Sequence, residues 1–231
     1  MAIITSYRPR INLSMTMIVA FKLRDRIVVF SDSLMTYTDP SKAAVYDYRK
    51  VFKITSNVVI GFAGLDIPDD SIEAFTDDLK TSILPTDTAE MVVKQVPSIA
   101  KKHIRPSDTE PDFDLQVLIV GYDLAGNQKT YHFHGTKEAP RQLKLVLTGE
   151  DQQYFIGNEK YTSDNEKRAY LEKSNVSASG VQELFLKWSA QAKTDTEDKN
   201  RVGGQVRRIT ITRSGIKESI VADLEHFQPD N

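Results

Sequence analysis

The N-terminal part of the chain consists of short apolar runs separated by polar turns, a pattern that predicts β-hairpins. Residues 17–22 and 27–31 are rich in apolar and β-branched side chains, and a charged tripeptide at 24–26 separates them. A second pair of runs follows at 51–55 and 58–62. Both pairs are expected to form antiparallel strands, because apolar runs joined by short polar turns are typical of hairpins.

Helical periodicity replaces this pattern after residue 70. Apolar side chains recur at helical spacing from Ile72 to Ile83, which predicts a helix that Pro85 ends. A second helix, over 92–99, is expected to be kinked or divided at Pro97. A polar stretch then predicts a linker before the next strand, at residues 105–112.

The second half of the chain repeats this order of strands followed by helices. Strands are predicted at 113–120, 130–134, 143–147, 206–212 and 216–221. Helices are predicted at 158–171 and around the apolar face that holds Val181, Leu184, Phe185, Trp188 and Ala192. Because strands and helices come in separate blocks, the predicted fold class is α+β, with helices packed outside antiparallel sheets.

Composition describes an ordinary globular chain and excludes several classes of function. The 231 residues are 40% hydrophobic and 27% charged, which suits one domain with a substantial core. A net charge of −2 lacks the basic footprint of a nucleic-acid-binding protein, and the absence of cysteine excludes disulfides and cysteine nucleophiles. No apolar run has the length of a membrane span, and the first fifteen residues make a poor signal peptide. A soluble, cytoplasmic protein with no nucleic-acid or membrane partner is therefore expected.

Four residues at or near predicted strands supply the groups that a nucleophilic threonine needs. Thr16 offers a hydroxyl, and Asp32, Lys50 and Gly64 offer a carboxylate, an ammonium and a backbone N–H. A threonine hydroxyl is a weak nucleophile unless a base takes its proton, and the α-amine of an N-terminal threonine can be that base. The lysine favours the free amine and the alkoxide, the carboxylate orients the lysine, and the glycine N–H stabilises an oxyanion. Any one of these residues at a strand edge is usually structural, so the prediction depends on the ordered set.

The spacing of this set resembles the proteasome β-subunit superfamily, and especially the bacterial HslV-type peptidases. In those proteins a Thr starts the mature chain, an Asp follows sixteen positions later, and a Lys precedes an Ala-Gly turn by fourteen. Here Asp32 follows Thr16 by sixteen positions, and the Ala-Gly pair ending at Gly64 follows Lys50 by fourteen. The Asp-to-Lys gap is two residues longer than in the family, and residues 39–42 are a natural place for the insertion.

The resemblance implies a fold and an assembly as well as a chemistry. Residues 120–126 also resemble the family's central strand with its turn, and residues 202–206 resemble the glycine-rich entry to a late strand. The implied fold is a four-layer αββα sandwich of two antiparallel sheets flanked by helices, as in N-terminal nucleophile hydrolases. The resemblance further implies self-association into rings, with peptides or unfolded proteins as substrates. It also implies an ATP-dependent unfoldase as a partner.

The main departure from the family pattern is the segment before Thr16, which leaves that residue without a free amine in the chain as numbered. Self-processing relatives usually place Gly before the threonine, whereas Met15 stands here. Because aminopeptidases readily remove Met before a small residue, our hypothesis is that Met15 is the initiator and residues 1–14 are an upstream misassignment. Otherwise this segment is an N-terminal extension or propeptide ahead of one domain at 16–231. Ser14 is a fallback nucleophile with a less suitable spacing to the carboxylate.

Two further family positions differ in this chain. Asn158 follows Gly157 where the family has a supporting Ser, and its amide can hydrogen-bond the α-amine but cannot relay a proton. Val202 stands at the expected Ser position before the glycine-rich turn. Candidates for the acid expected before that turn are Asp195, Glu197 and Asp198.

The same resemblance implies that Met35, Tyr48 and Phe62 line the first substrate pocket. Their apolar or aromatic character implies cleavage after medium-sized hydrophobic residues, and ordinary core packing is the alternative for each. His132 and His134 alternate onto one face of a strand, as in a metal-binding pair. No acidic pattern nearby completes such a site, so neither a metal nor a cofactor is predicted.

Three functions remain open at this point. The first is a threonine peptidase that forms an acyl-enzyme at Thr16 inside a self-compartmentalising ring. The second is a non-catalytic scaffold subunit of the same fold that keeps its N-terminal extension packed over the site. The third is a small-amide hydrolase with the same nucleophile, an open pocket and a monomeric or dimeric state.

Overall fold

The computed structural model describes residues 10–13, 16–37, 39, 41–68, 70–103, 114–136, 144–149, 153–157, 177–194 and 202–226. Its strands form two antiparallel sheets. The first sheet contains β1 (Arg10–Leu13), β4 (Thr36–Tyr37), β5 (Val51–Lys53), β6 (Val58–Pro68), β7 (Asp114–Tyr122), β8 (Gln128–Thr136) and β9 (Lys144–Gly149). The second sheet contains β2 (Met17–Lys22), β3 (Ile27–Ser31), β10 (Gln153–Gly157), β11 (Gln205–Thr212) and β12 (Gly215–Asp223).

The strand order differs from the chain order in both sheets. In the first sheet it is β4-β1-β6-β7-β8-β9, with β5 also paired to β6. In the second it is β10-β2-β3-β11-β12. The central strands β2 and β3 are apolar and buried along nearly their whole length, whereas β12 at the edge is half exposed. A strand covered on both faces is expected to be apolar on both faces, which explains this contrast.

Helices cover the outer face of each sheet. The helices are α1 (Ser71–Thr81), α2 (Ala89–His103) and α3 (Ala178–Thr194). Helices α1 and α2 pack on the first sheet around Phe62, Phe75 and Val117, and α3 packs on the second around Phe30 and Trp188. Among the described helices, none combines the length and the apolar character that crossing a membrane requires.

A third apolar cluster lies between the two sheets. Its members come from both sheets: Ile18, Ala20, Ile27, Val29, Val51, Val59, Ala63, Leu118, Val120, Tyr122, Ile156, Ile209 and Ile211. The described residues thus form an α+β fold with two facing antiparallel sheets, which confirms the predicted class and is compatible with the predicted sandwich.

The structure confirms several predicted elements and corrects others. The β2–β3 hairpin, α1, α3 and the β11–β12 hairpin are confirmed. Of the two alternatives predicted for α2 at Pro97, division is wrong, because one helix with a continuous buried face runs past the exposed proline, and a kink stays a prediction. Strands β1, β4 and β10 were not predicted, since each presents too short an apolar pattern to stand out. The predicted linker at 105–112 and the predicted helix at 158–171 lie outside the described residues.

Candidate active site

The β2–β3 hairpin brings Thr16 and Asp32 to the same end of the second sheet. Thr16 directly precedes β2 and Asp32 directly follows β3, and the strands pair with Ile18 opposite Ser31. The backbone N–H of Asp32 donates to the carbonyl of Met17 at 3.3 Å. The N–H of Met17 in turn donates to Asp32 Oδ1 at 3.0 Å. The carboxylate is therefore tied to the residue next to Thr16.

Lys50 reaches this carboxylate from the other sheet. It directly precedes β5, and its carbonyl accepts the N–H of Phe62 at 3.0 Å. Its Nζ lies 2.9 Å from both Oδ1 and Oδ2 of Asp32, and both side chains are 0% exposed. The N–H of Gly203, ahead of β11, donates to Asp32 Oδ2 at 3.4 Å. Three segments distant in sequence thus meet at one buried ion pair.

The protonation of this pair depends on the contact between its members. Burial raises the pKa of Asp32 above its ordinary value, while the Lys50 charge and the N–H groups of Met17 and Gly203 act in the opposite direction. Burial also lowers the pKa of Lys50, and the Asp32 carboxylate opposes that shift. An isolated buried charge is costly, so each residue needs the other to remain ionised.

Thr16 itself is buried and has an internal peptide nitrogen. Its N–H donates to the carbonyl of Leu13 at 3.0 Å. Its side-chain Oγ1 has no hydrogen-bond partner within the described part of the chain. A buried hydroxyl without a partner is uncommon in folded proteins. In this form the residue lacks the free α-amine that the predicted chemistry requires.

The segment before Thr16 contributes strand β1, which lies between β4 and β6. Ile11 is opposite Tyr37 in β4 and Ile67 in β6, and Leu13 is opposite Gly64. Ile11 is 0% and Leu13 1% exposed, and both belong to the apolar cluster beneath α1 and α2. The alternation of polar and apolar residues over 10–13 was the only sequence signal for this strand. Residues 10–13 of the N-terminal extension are thus part of the sheet beside the predicted oxyanion residue.

Gly64 lies inside β6 and not at a strand end. Strand β6 continues beyond this glycine to Pro68. Gly64 has a φ of +150°, and a Cβ at this position would lie 2.1 Å from the carbonyl oxygen of Asp114. It is opposite Leu13 on one side and Leu115 on the other. The glycine is therefore required by the close approach of β7.

The residues predicted to line a substrate pocket all pack at one apolar cluster. Met35 is 2% and Phe62 0% exposed, and Tyr48 is partly buried against the same cluster that contains Ile11 and Leu13. The Phe62 ring packs edge-on against the rings of Phe52 and Phe75, at centroid distances of 5.9 and 5.4 Å. These contacts agree with core packing for Phe62, whereas a pocket role for any of the three stays a prediction.

Other predicted site residues are only partly described. Gly157 ends β10 opposite Met17, but Asn158 lies outside the described residues, as do Asp195, Glu197 and Asp198. Val202 is 2% exposed and packs in the cluster between the second sheet and α3. It holds an apolar core position, directly before the glycine whose N–H reaches Asp32.

The two histidines of β8 share a face, as the alternation predicts. The His132 and His134 rings are stacked with centroids 6.1 Å apart. His134 Nε2 lies 2.5 Å from Oδ1 of Asp114, an acidic neighbour that the sequence did not indicate because it comes from β7. Burial, reinforced by His134, lowers the pKa of His132 to about 4. Within the described ranges, no group of three or more metal-ligating side chains could hold an ion.

Comparisons with known proteins assign no family to this fold and site. No model of a known protein family matches the chain. No curated protein sequence matches it either. A functional conclusion therefore depends on the residues and their geometry.

Proposed function

We propose that this protein is an N-terminal threonine hydrolase that cleaves peptide bonds, and that the described form is its latent precursor. The observation that carries the proposal is the buried Asp32–Lys50 pair, which the N–H of Met17 fixes next to Thr16. A buried ion pair is weak evidence for stability, because desolvation offsets most of the attraction. Its place beside a buried hydroxyl without a described partner supports a chemical role.

The chemistry begins when the peptide bond between Met15 and Thr16 is broken, which leaves a free α-amine. The amine takes the proton of Thr16 Oγ1 as this oxygen attacks the substrate carbonyl, and then gives the proton to the departing amine. The product is an ester between the substrate acyl group and Thr16. Water attacks that ester, its proton passes through the α-amine to Oγ1, and the carboxylic acid leaves.

The surrounding groups stabilise charge during these steps. The Lys50 ammonium favours the free α-amine and the developing alkoxide of Thr16, and Asp32 holds the ammonium in place and keeps it charged. The N–H of Gly64 is the proposed donor to the oxyanion. All of these groups belong to the chain itself, and the proposal requires no cofactor.

Strand β1 supplies the reason for latency in this proposal. It occupies the gap between β4 and β6, and its carbonyl at Leu13 accepts the Thr16 N–H. An extended peptide that adds to a sheet edge makes the same kind of backbone contacts as a strand. We therefore place the peptide substrate in this gap after β1 has left, with Met35, Tyr48 and Phe62 at the first side-chain pocket.

Further parts of the proposal rest on the proteasome-type spacing of Thr16, Asp32, Lys50 and Gly64 alone. They are the four-layer fold of N-terminal nucleophile hydrolases, assembly into rings and an ATP-dependent unfoldase as partner. A cytoplasmic location is also part of the proposal, and it rests on the poor signal peptide and the absence of a membrane-length apolar run in the sequence. Each of them can fail without affecting the chemistry of the site.

A second candidate function is a non-catalytic scaffold of the same architecture, and β1 favours it. Ile11 and Leu13 fill core positions as completely as any residue of the central strands. A segment that is buried in this way suits a protein that keeps its extension. The two candidates therefore differ in whether residues before Thr16 are ever removed.

Expression of residues 15–231 beside residues 1–231 tests the proposal. In the shorter chain, Met removal exposes the Thr16 amine, and we expect hydrolysis of a fluorogenic peptide with an aliphatic residue before the reporter. Intact mass spectrometry should show the chain starting at Thr16, and an adduct after treatment with a peptide epoxyketone. Thr16→Ala should lower kcat by several orders of magnitude, because deletion of a nucleophile costs on the order of 10⁶ elsewhere.

The opposite results are equally informative. If Thr16→Ala hydrolyses the peptide as fast as its parent, the nucleophile is wrong. If neither chain forms an adduct, and protein from its native host retains the residues before Thr16, the scaffold function replaces the enzymatic one.

A further inference from the structure

Ser33, the residue after the buried carboxylate, joins three segments of the chain. Its N–H donates to the carbonyl of Gly203 at 3.2 Å, and its carbonyl accepts the N–H of Tyr48 at 3.0 Å. Its Oγ donates to the carbonyl of Tyr46 and accepts the N–H of Gln205 at 2.7 Å. A serine hydroxyl has one proton to donate, so its single donor and one of its acceptor sites are both engaged. The side chain is completely buried.

The backbone around this hydroxyl depends on glycine. Gly204 has a φ of +69°, and a Cβ there would lie 2.1 Å from the Tyr46 carbonyl oxygen and 2.6 Å from Ser33 Oγ. A left-handed conformation and a close approach of two backbones both require glycine. The turn before β11 is therefore shaped to bring its N–H groups against the segment that follows β3.

The segments that Ser33 joins carry the members of the ion pair. Asp32 precedes Ser33, and Lys50 follows Tyr48 by two residues. The third segment contacts the carboxylate directly, through the N–H of Gly203. We propose that Ser33 is a positioning residue, which sets the separation between the Asp32 carboxylate and the Lys50 ammonium. Its effect on catalysis rests on the function proposed above, whereas its effect on Lys50 is measurable without that function.

Removal of the hydroxyl has a defined consequence. In Ser33→Ala, the carbonyl of Tyr46 and the N–H of Gln205 lose the hydroxyl and keep only their long contact with each other, at 3.4 Å. This costs free energy unless the segments move apart to admit water. Within the described residues, Asp32 is the charged side chain that faces Lys50. Movement of the segment before Lys50 or of the turn before β11 therefore weakens the contact between these two side chains. Because Asp32 opposes the effect of burial on Lys50, a weaker contact lowers the pKa of Lys50 further.

Nuclear magnetic resonance of the full chain, labelled with ¹⁵N-lysine, tests this proposal without any assay of activity. The Lys50 ammonium resonance is assigned by its absence in Lys50→Arg and followed over pH. In Ser33→Ala we expect its pKa to fall by about one unit or more, which corresponds to a tenfold loss of preference for the charged form. Ser71→Ala is the matched control, because it removes another buried serine hydroxyl, which bonds the carbonyl of His103 on the helical face.

A purely structural role predicts a different result. If Ser33→Ala lowers the melting temperature but leaves the Lys50 pKa equal to that in Ser71→Ala, the proposal is overturned. Should Ser33→Ala fail to fold, Ser33→Cys carries the same comparison, because it keeps a polar side chain with a weaker donor. An intermediate fall in the Lys50 pKa is then expected in Ser33→Cys. An unchanged Lys50 pKa in this variant would overturn the proposal.

The mature enzyme provides a second readout. In Ser33→Ala the limb of the kcat profile that reports Lys50 deprotonation should move to lower pH by the same amount, with kcat falling about tenfold and KM changing less. A mature chain without any activity contradicts the proposed hydrolase, yet the resonance of Lys50 still decides the role of Ser33. The two failures are therefore distinguishable.

Discussion

The Nζ of Lys50 lies 2.9 Å from both carboxylate oxygens of Asp32, and neither side chain is exposed. The pair joins the two sheets, because Asp32 follows β3 in the second sheet and Lys50 precedes β5 in the first. Removal of one partner from a buried ion pair is strongly destabilising, because it leaves the other charge buried without a counter-ion. The pair therefore has consequences for stability that can be measured before any activity is known.

Replacement of Lys50 by Met should strongly destabilise the chain. It leaves the Asp32 carboxylate buried without a counter-ion, and the free energy of unfolding at pH 7 should fall by about 3–5 kcal/mol in urea titrations. Burial gives Asp32 a higher pKa in the folded state than in the unfolded state, so this variant takes up a proton at Asp32 as the pH falls. The deficit relative to the parent should consequently shrink from pH 7 towards pH 4.

The control for this variant is an exposed ion pair of the same type. Lys80 lies 3.3 Å from Asp77, and these side chains are 41% and 76% exposed. Lys80→Met should therefore change the free energy of unfolding by less than about 1 kcal/mol. A Lys50→Met chain as stable as this control would contradict the idea that the buried pair is ionised.

Gly64→Ala should destabilise the chain more than Gly61→Ala in the same strand. At Gly64 a methyl group would lie 2.1 Å from the backbone oxygen of Asp114, and the φ of +150° is strained for any L side chain. At Gly61 the nearest atom is the flexible Cδ1 of Ile18, at 3.1 Å. In urea titrations, Gly64→Ala should lower the free energy of unfolding by at least about 2 kcal/mol, and Gly61→Ala by about half of that or less. Equal losses would show that β7 can move away from Gly64.

Leu13→Ala in the full chain measures how firmly β1 is held. If β1 is as integral as its burial indicates, truncation of Leu13 should lower the free energy of unfolding by about 2–5 kcal/mol. Leu84→Ala, at a side chain 65% exposed, should change it by about 0.5 kcal/mol or less. If Leu13→Ala costs no more than Leu84→Ala in chemical denaturation, β1 detaches before the rest unfolds, which would favour a removable segment over a scaffold.

Sequence reasoning identified the ion pair because its parts lie in or beside predictable elements. Strands β2 and β3 show long apolar runs with a charged turn, so the hairpin places Asp32 beside Met17 with no further information. The contact of Lys50 with Asp32 crosses between sheets. No local pattern indicates such a contact, and the spacing within a resembling family was needed to suggest it.

The missed features are those that depend on pairing between distant segments. The N–H of Gly203 meets Asp32 across 171 positions of sequence, and a turn made of glycines carries no signal of what it will contact. Strand β1 has only two apolar residues, Ile11 and Leu13, and its neighbours β4 and β6 come later in the chain. Four residues are too short a window for a periodicity argument, so tertiary pairing decides their structure.

The stability of the chain should also depend on the protonation of His132. Burial, with a smaller contribution from His134, lowers the pKa of His132 to about 4, while Asp114 acts in the opposite direction. Between pH 6.5 and 4 the unfolded chain therefore binds a proton at this position that the folded chain does not. The contribution of His132 to the free energy of unfolding is complete above pH 6.5 and decreases as the pH falls through this window.

His132→Gln isolates this effect, since glutamine does not titrate. Between pH 7 and pH 4, the free energy of unfolding of the parent should fall by up to about 2 kcal/mol more than that of His132→Gln. This figure includes a reduction for screening by the solvent that partly reaches the ring. His226→Gln is the matched control, because it makes the same substitution at an exposed histidine near the end of the described chain. Parallel curves for the parent and His132→Gln would mean that His132 becomes protonated in the folded state as readily as in the unfolded chain. The stacked histidines of β8 would then have to open to water below pH 6.5, and the depressed pKa would be wrong.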